Sequence, residues 1–155
     1  MRKKNRGYGS VNVWGGIFGN LKTPLVRLKC RVTAEKYVDN ILRPYVLPFL
    51  HDNEGGILMH DNAPPHTARL TKEFLVNEGV EVLPWPAVSP DLNPIENVWA
   101  AMKTELRKLP VSTDSDKLFG RLVEIWNGID ALPAVLSMRR RLSSTIDVDG
   151  GHTKY

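Results

Sequence analysis

The order of periodicities along these 155 residues predicts an α/β domain, a mixed sheet flanked by helices. Three observations carry that class. Residues 11–32 hold two β-branched, partly alternating runs around Gly15, Gly16 and Gly19, the pattern of an antiparallel hairpin. Further on, an apolar run at Ile57, Leu58 and Met59, an amphipathic stretch, and an alternating Val80, Glu81 and Val82 follow one another, and a strand, helix, strand order of this kind is a parallel crossover. Beyond residue 93 the apolar positions keep helical spacing.

The chain is one domain long and able to bury a core of its own. With 42% apolar and 25% charged residues it matches ordinary globular composition, and no apolar run approaches the roughly 20 residues of a membrane helix. No membrane partner is expected, and no secretory leader is read after Met1. Cys30 stands alone, so an internal disulfide is impossible and a reducing compartment is the default. A formal charge of +4 and a pI near 9.3 permit a polyanionic partner without demanding one.

Residues 1–10 form a basic tail with Arg2, Lys3, Lys4 and Arg6, and residues 11–155 form the domain. Two readings of the tail stand: a solvated run of like charges, or a phosphate-contacting or nuclear-import patch. After the hairpin, Tyr37, Val38, Ile41, Leu42, Tyr45 and Val46 recur at helical spacing behind Thr33 as N-cap, and Pro44 and Pro48 are expected to kink or divide this helix. Residues 51–56 make a polar turn into the Ile57 strand, read as buried. Ala63, Pro64 and Pro65 stop further pairing, and a helix starting at His66 or Thr67 keeps Leu70, Phe74 and Leu75 on one face until Gly79 ends it. A proline-punctuated stiff loop over residues 85–92 leads to a helix capped by Asn93 with Pro94 at its first position. Its stripe is Ile95, Val98, Trp99, Met102, Leu106 and Leu109, with Trp99 and Met102 read as core. One more amphipathic helix carries Leu118, Phe119, Leu122, Val123 and Trp126, and another, beginning near Pro133, carries Leu132, Val135, Leu136 and Leu142.

Two carboxylates stand out. Asp61 closes the Ile57 strand, and Glu96 is the third residue of the helix behind Asn93, at the border of its apolar stripe. Each alone has a plain structural reading. Asp61 and Asn62 suit a turn, and Asn-x-x-Glu is a capping-box start in which Glu96 returns a bond to the Asn93 backbone. Together they suit phosphodiester chemistry, because carboxylates from separate segments can hold hard divalent ions while leaving positions open for water and phosphate. Asn62 and His66 stand beside Asp61, either to orient it or as turn and cap residues. Arg139, Arg140 and Arg141 are the densest positive cluster outside the tail, read evenly as a solvated helix face or as a grip on DNA phosphates.

The strings HDNAPPHTA at residues 60–68 and WPAVSPDLNPIENVW at residues 85–99 resemble the second and third acidic motifs of mariner-superfamily DNA transposases of the DDE type. In one branch of that family 34 residues separate the two acids, and residues 62–95 number 34. The resemblance runs from about Val11 to Tyr155 and includes SMRRRL and GGHTKY. It implies a ribonuclease-H-like fold, Asp61 and Glu96 as catalytic metal ligands, Mg2+ with Mn2+ as substitute, DNA transposon ends and target as partners, a homodimer, and the nucleus as the place of action. The implied chemistry is cut-and-paste: water cleaves the transposon end, and the freed 3′-hydroxyl attacks target DNA, completing integration. The family's first Asp lies on a strand just upstream of the hairpin. No acidic residue precedes Glu35 here, and the first Asp, Asp39, falls in a predicted helix. The chain therefore looks like the carboxyl-terminal two thirds of a catalytic domain, lacking the first strand. A catalytically inactive, DNA-binding derivative or a relic is the alternative expectation.

Overall fold

The computed structural model describes residues 9–53, 55–84 and 92–147, with side chains through residue 143. Residues 1–8 of the basic tail, most of the proline-rich loop and the GGHTKY string lie outside the described residues. The expected hairpin is present as two short ladders. Strand β1 (Asn12–Trp14) pairs antiparallel with β4 (Val26–Leu28), and β2 (Ile17–Phe18) pairs with β3 (Leu21–Lys22) nearer the tip. Between the ladders Gly16 N–H donates to Thr23 Oγ1 at 2.8 Å and Thr23 N–H to the Gly16 carbonyl at 3.0 Å, so the hairpin continues through the interruption. Gly15 is needed there for packing. A Cβ at that position would lie 2.8 Å from the Trp126 ring, which presses against the hairpin.

The helix behind Thr33 begins as expected, with Thr33 Oγ1 accepting from Lys36 N–H. The prolines do not divide it. Helix α1 (Ala34–Tyr37) passes through π-helical turns at Val38–Val46 directly into α2 (Leu47–His51). Pro44 has no N–H to give and its ring would crowd an α-helical turn, and the wider turn, with Leu47 N–H bonded five residues back to the Leu42 carbonyl, absorbs both defects.

The crossover is parallel, as expected, but its strands are reduced to one bridge. Leu58 and Val82 face each other in parallel, with Leu58 N–H bonded to the Glu81 carbonyl and Leu83 N–H to the Leu58 carbonyl, both at 2.9 Å. Ile57 is 46% exposed, so the run is not buried throughout as its composition suggests. The connecting helix starts earlier than expected. Helix α3 (Pro64–Thr67) uses Pro64 in its first turn, Ala68 breaks the path with ψ 145, and α4 (Arg69–Asn77) follows. Thr71 and Leu75 are its buried residues while Leu70 is 44% exposed, which turns the inner face one step from the expected one. Gly79, at φ +67, ends it as predicted, and Val80 N–H returns to the Leu75 carbonyl.

Helix α5 (Pro94–Arg107) starts at the predicted residue, Asn93 Oδ1 accepting from Ile95 N–H at 3.3 Å. Val98 and Met102 are buried, and Trp99 stacks on Trp126 of α6 (Ser115–Gly128) with ring centres 5.2 Å apart. Leu109 lies past the helix end and is 39% exposed, so the stripe stops short of it. Lys22 Nζ reaches across from the hairpin and donates to the carbonyls of Trp126, Asn127 and Ile129, closing the carboxyl end of α6. The last predicted helix is two, α7 (Leu132–Leu136) and α8 (Met138–Asp147). Its inner positions are Ala131, Ala134 and Arg141, whereas Leu132, Leu136 and Leu142 are exposed. The leucines set the expected phase wrongly, because the small Ala131 and Ala134 allow the close approach of α7 to the core of Leu25, Val98, Met102 and Trp126. No helix among the described residues is long and apolar enough to cross a membrane.

Candidate active site

Asp61 leaves the bridged Leu58 segment at its carboxyl end. Its Oδ1 accepts from Ala63 N–H at 3.0 Å, the turn that its sequence context predicts, and from His66 Nδ1 at 2.7 Å. His66 Nδ1 is also 3.1 Å from the Asp61 carbonyl, and two oxygen acceptors assign the proton to that nitrogen. Among the described residues Oδ2 of Asp61 has no hydrogen-bond partner, and the carboxylate side chain is 62% exposed. The turn reading and the site reading are thus compatible, since the turn uses only one oxygen.

Glu96 stands in the first turn of α5 and is exposed. The capping-box alternative is not realised. Asn93 serves as cap through its own side chain, and among the described residues the Glu96 carboxylate makes no hydrogen bond or ion pair. Asp61 and Glu96 line one cavity of about 290 Å³, walled also by β1, β2 and the side chains of Tyr37, His60 and His66. Glu35 and Asp39 do not line it; Asp39 sits on the helix, 3.9 Å from Arg43. Among the described residues no three His, Cys, Asp or Glu side chains gather into a metal-holding group.

Behind Asp61 lies a cluster that sequence reasoning missed. The imidazoles of His60 and His66 stack in parallel, 4.7 Å between centres and 2° between planes. Tyr37, only 2% exposed, brings its hydroxyl 3.1 Å from His60 Nδ1 and its ring 4.3 Å from that of His66. Burial, aided by the Asp61 charge, pushes the Tyr37 phenol above its ordinary range and keeps the hydroxyl protonated. Burial first, then His66, lowers His60 to about 4, against the pull of Asp61, and keeps it neutral. The sequence signal for these residues is slight: two histidines bracket Asp61, and Tyr37 reads only as part of a helical stripe.

The other candidate residues divide. Asn62 is exposed and lines a neighbouring cavity of about 420 Å³, on whose wall His60 and His66 also stand, rather than the one shared by Asp61 and Glu96. Arg139 and Arg140 are exposed on α8, but Arg141 is 3% exposed and donates to Ser137 Oγ at 2.6 Å. Arg141 therefore does not share the surface of the other two, because it falls on the inner face that the alanines define.

The fold is that of transposase catalytic domains. The structure is similar to the Mos1 transposase catalytic domain solved with raltegravir and manganese, at a TM-score of 0.74 and 24% identity, covering 93% of this chain and 83% of that one. It is similar also to Mos1 transposase in its paired-end complex with the left transposon end, at 0.79 and 26%, covering 98% and 47%. In sequence the chain is 35% identical to the Tcb2 transposable-element transposase of Caenorhabditis briggsae, over all of this chain and 58% of that protein. Residues 3–118 match the family described as DDE superfamily endonuclease, a span that contains both Asp61 and Glu96. The chain belongs to the DDE superfamily endonucleases. It spans a little over half the length of the curated transposases it matches.

Proposed function

We propose that this chain is the catalytic core part of a cut-and-paste DNA transposase, with Asp61 and Glu96 as its retained metal ligands. The observation that carries this reading is their shared cavity, reached from two separate chain segments, with oxygens left unengaged on both. Oxygen-only donors of this kind suit a hard divalent cation, Mg2+ or Mn2+ in its place. Such an ion, when bound, makes water a stronger nucleophile and offsets charge on the phosphoryl group.

The chain's own residues do the positioning. Ala63 N–H and His66 hold Oδ1 of Asp61, and the Asn93 cap fixes where α5 begins and hence where Glu96 stands. In the first reaction the oxygen of water forms a bond to phosphorus at the transposon end and the 3′-oxygen leaves, taking a proton to become a hydroxyl. In the second that hydroxyl loses its proton, attacks a target phosphodiester and displaces the target's own 3′-oxygen. Arg139 and Arg140, exposed on one helix, are the proposed phosphate contacts. The Mos1 structure with a transposon end supports DNA as partner, and holding two ends together favours a homodimer acting in the nucleus. The family's remaining carboxylate, its first Asp, belongs by resemblance to a strand upstream of the hairpin. A chain extended by an upstream strand bearing an Asp is therefore expected to bind Mn2+ more tightly and to nick transposon-end DNA. Glu96→Gln should abolish that nicking, and cleavage that survives the substitution removes Glu96 from the site.

A further inference from the structure

We infer that Tyr37 and His60 are positioning residues for Asp61, acting through His66; the inference rests on the metal-ligand reading of Asp61. A carboxylate that is 62% exposed at the end of a one-bridge strand has little packing to fix its direction. The turn bond from Ala63 N–H is local, only two residues on, and moves with the turn itself. The remaining restraint is His66 Nδ1 at 2.7 Å, and its value depends on what holds the imidazole.

Two ring contacts and burial hold it. Its ring lies parallel on that of His60 and tilted by 41° against that of Tyr37 at 4.3 Å, and its own side chain is only 18% exposed. His60 is in turn held by the Tyr37 hydroxyl, 3.1 Å from its Nδ1. Tyr37 belongs to the core formed with Ile41, Leu42 and Leu75. A continuous path thus runs from a side chain that is 2% exposed to a carboxylate at the surface. Both bonds to Asp61 fall on Oδ1, so the path holds one oxygen and leaves Oδ2 for a ligand. Partners behind a metal ligand commonly change metal affinity by about 10–100-fold when removed, and Tyr37, two contacts further back, should give about 3–10-fold.

Tyr37→Phe separates this role from simple core packing, because it keeps the ring and removes only the hydroxyl. The first readout needs no metal. In the full 155-residue chain, long-range 15N spectra should show His66 as a single Nδ1–H tautomer, and Tyr37→Phe should turn it into a mixture with the melting temperature nearly unchanged. An unaltered His66 signal in Tyr37→Phe overturns the inference. The second readout is Mn2+ titration followed by the electron paramagnetic resonance of the free ion. Weaker binding by Tyr37→Phe and by His66→Asn, with loss of binding in Asp61→Asn, supports the inference. If Asp61→Asn loses Mn2+ while Tyr37→Phe binds like the parent, the positioning role fails and the metal site stands. If Asp61→Asn binds Mn2+ as the parent does, the metal-ligand reading fails and takes the positioning role with it.

Discussion

The described residues form two cores, and each carries one of the two carboxylates. The first gathers Leu25, Val98, Met102, Trp126, Ala131 and Ala134, and its helix α5 bears Glu96. The second gathers Tyr37, Val38, Ile41, Leu42, Val46 and Leu75, and the Leu58 segment that ends in Asp61 packs on it. The first is anchored by a tryptophan pair and a buried hydrogen bond from Trp126 Nε1 to the Thr23 carbonyl at 2.9 Å. Among the buried residues of the second, Tyr37 is the one aromatic, and its hydroxyl leaves the core to reach His60. The hairpin is the shared wall. Side chains alternate across a strand, so Val13 and Leu25 enter the first core while Trp14 and Val26 enter the second. The distance between the two carboxylates is therefore set by neither core alone but by how both seat on one hairpin.

Breaking the first core is expected to have the largest effect. Trp126→Ala removes the stack, the bond to Thr23 and the packing at Gly15, and should cost about 3–5 kcal/mol. Chemical denaturation would measure it, and hydrogen exchange would show whether α5 and α6 open before the Tyr37 half. Leu42→Ala, at a side chain with 0% exposure, attacks the second core and should cost about 3 kcal/mol, with exchange rising first around α1 and α4. If both variants raise exchange uniformly, the two cores are one cooperative unit and the division has no energetic meaning.

Acid gives a milder way to single out the second half. His60 is lowered from 6.5 to about 4 in the folded chain, so between those values the unfolded chain binds a proton that the folded one refuses. Its contribution is whole above pH 6.5 and is lost as the pH falls toward 4. Because the ring is partly solvated, the loss is on the order of 1–2 kcal/mol. Comparing stability against pH for the parent and His60→Asn isolates it, and identical slopes would show that His60 is not held neutral. The smallest effect is expected at the edge of the first core. Asn93→Ala removes the cap of α5 and should cost about 1 kcal/mol, with fraying confined to the turn that carries Glu96.

Much of this was legible in the sequence because local chemistry decided it. The Thr33 and Asn93 caps and the Gly79 stop follow from rules that act over a few residues, the parallel crossover follows from the order of periodicities, and the pairing of Asp61 with Glu96 comes from the resemblance of their two motif strings to a known family. What was misread depends on distant partners. Pro44 reads as a break, yet a wide helical turn packed in the second core accommodates it. Leu132, Leu136 and Leu142 read as a buried stripe, but the first core takes the alanines and turns Arg141 inward. His60 and Tyr37 are 23 residues apart, and no local pattern announces that they meet.

The clasp of Lys22 on the end of α6 also bears on how the protein is made. Its acceptors lie 104 to 107 residues further along the chain, so the hairpin is translated long before the carbonyls that fasten it. At ~5–20 residues per second, that interval is about 5–20 s on the ribosome. Throughout it Lys22 and the Gly15 face of the hairpin have no Trp126 to pack against. A nascent chain released before residue 129 would leave Lys22 without its Ile129 acceptor.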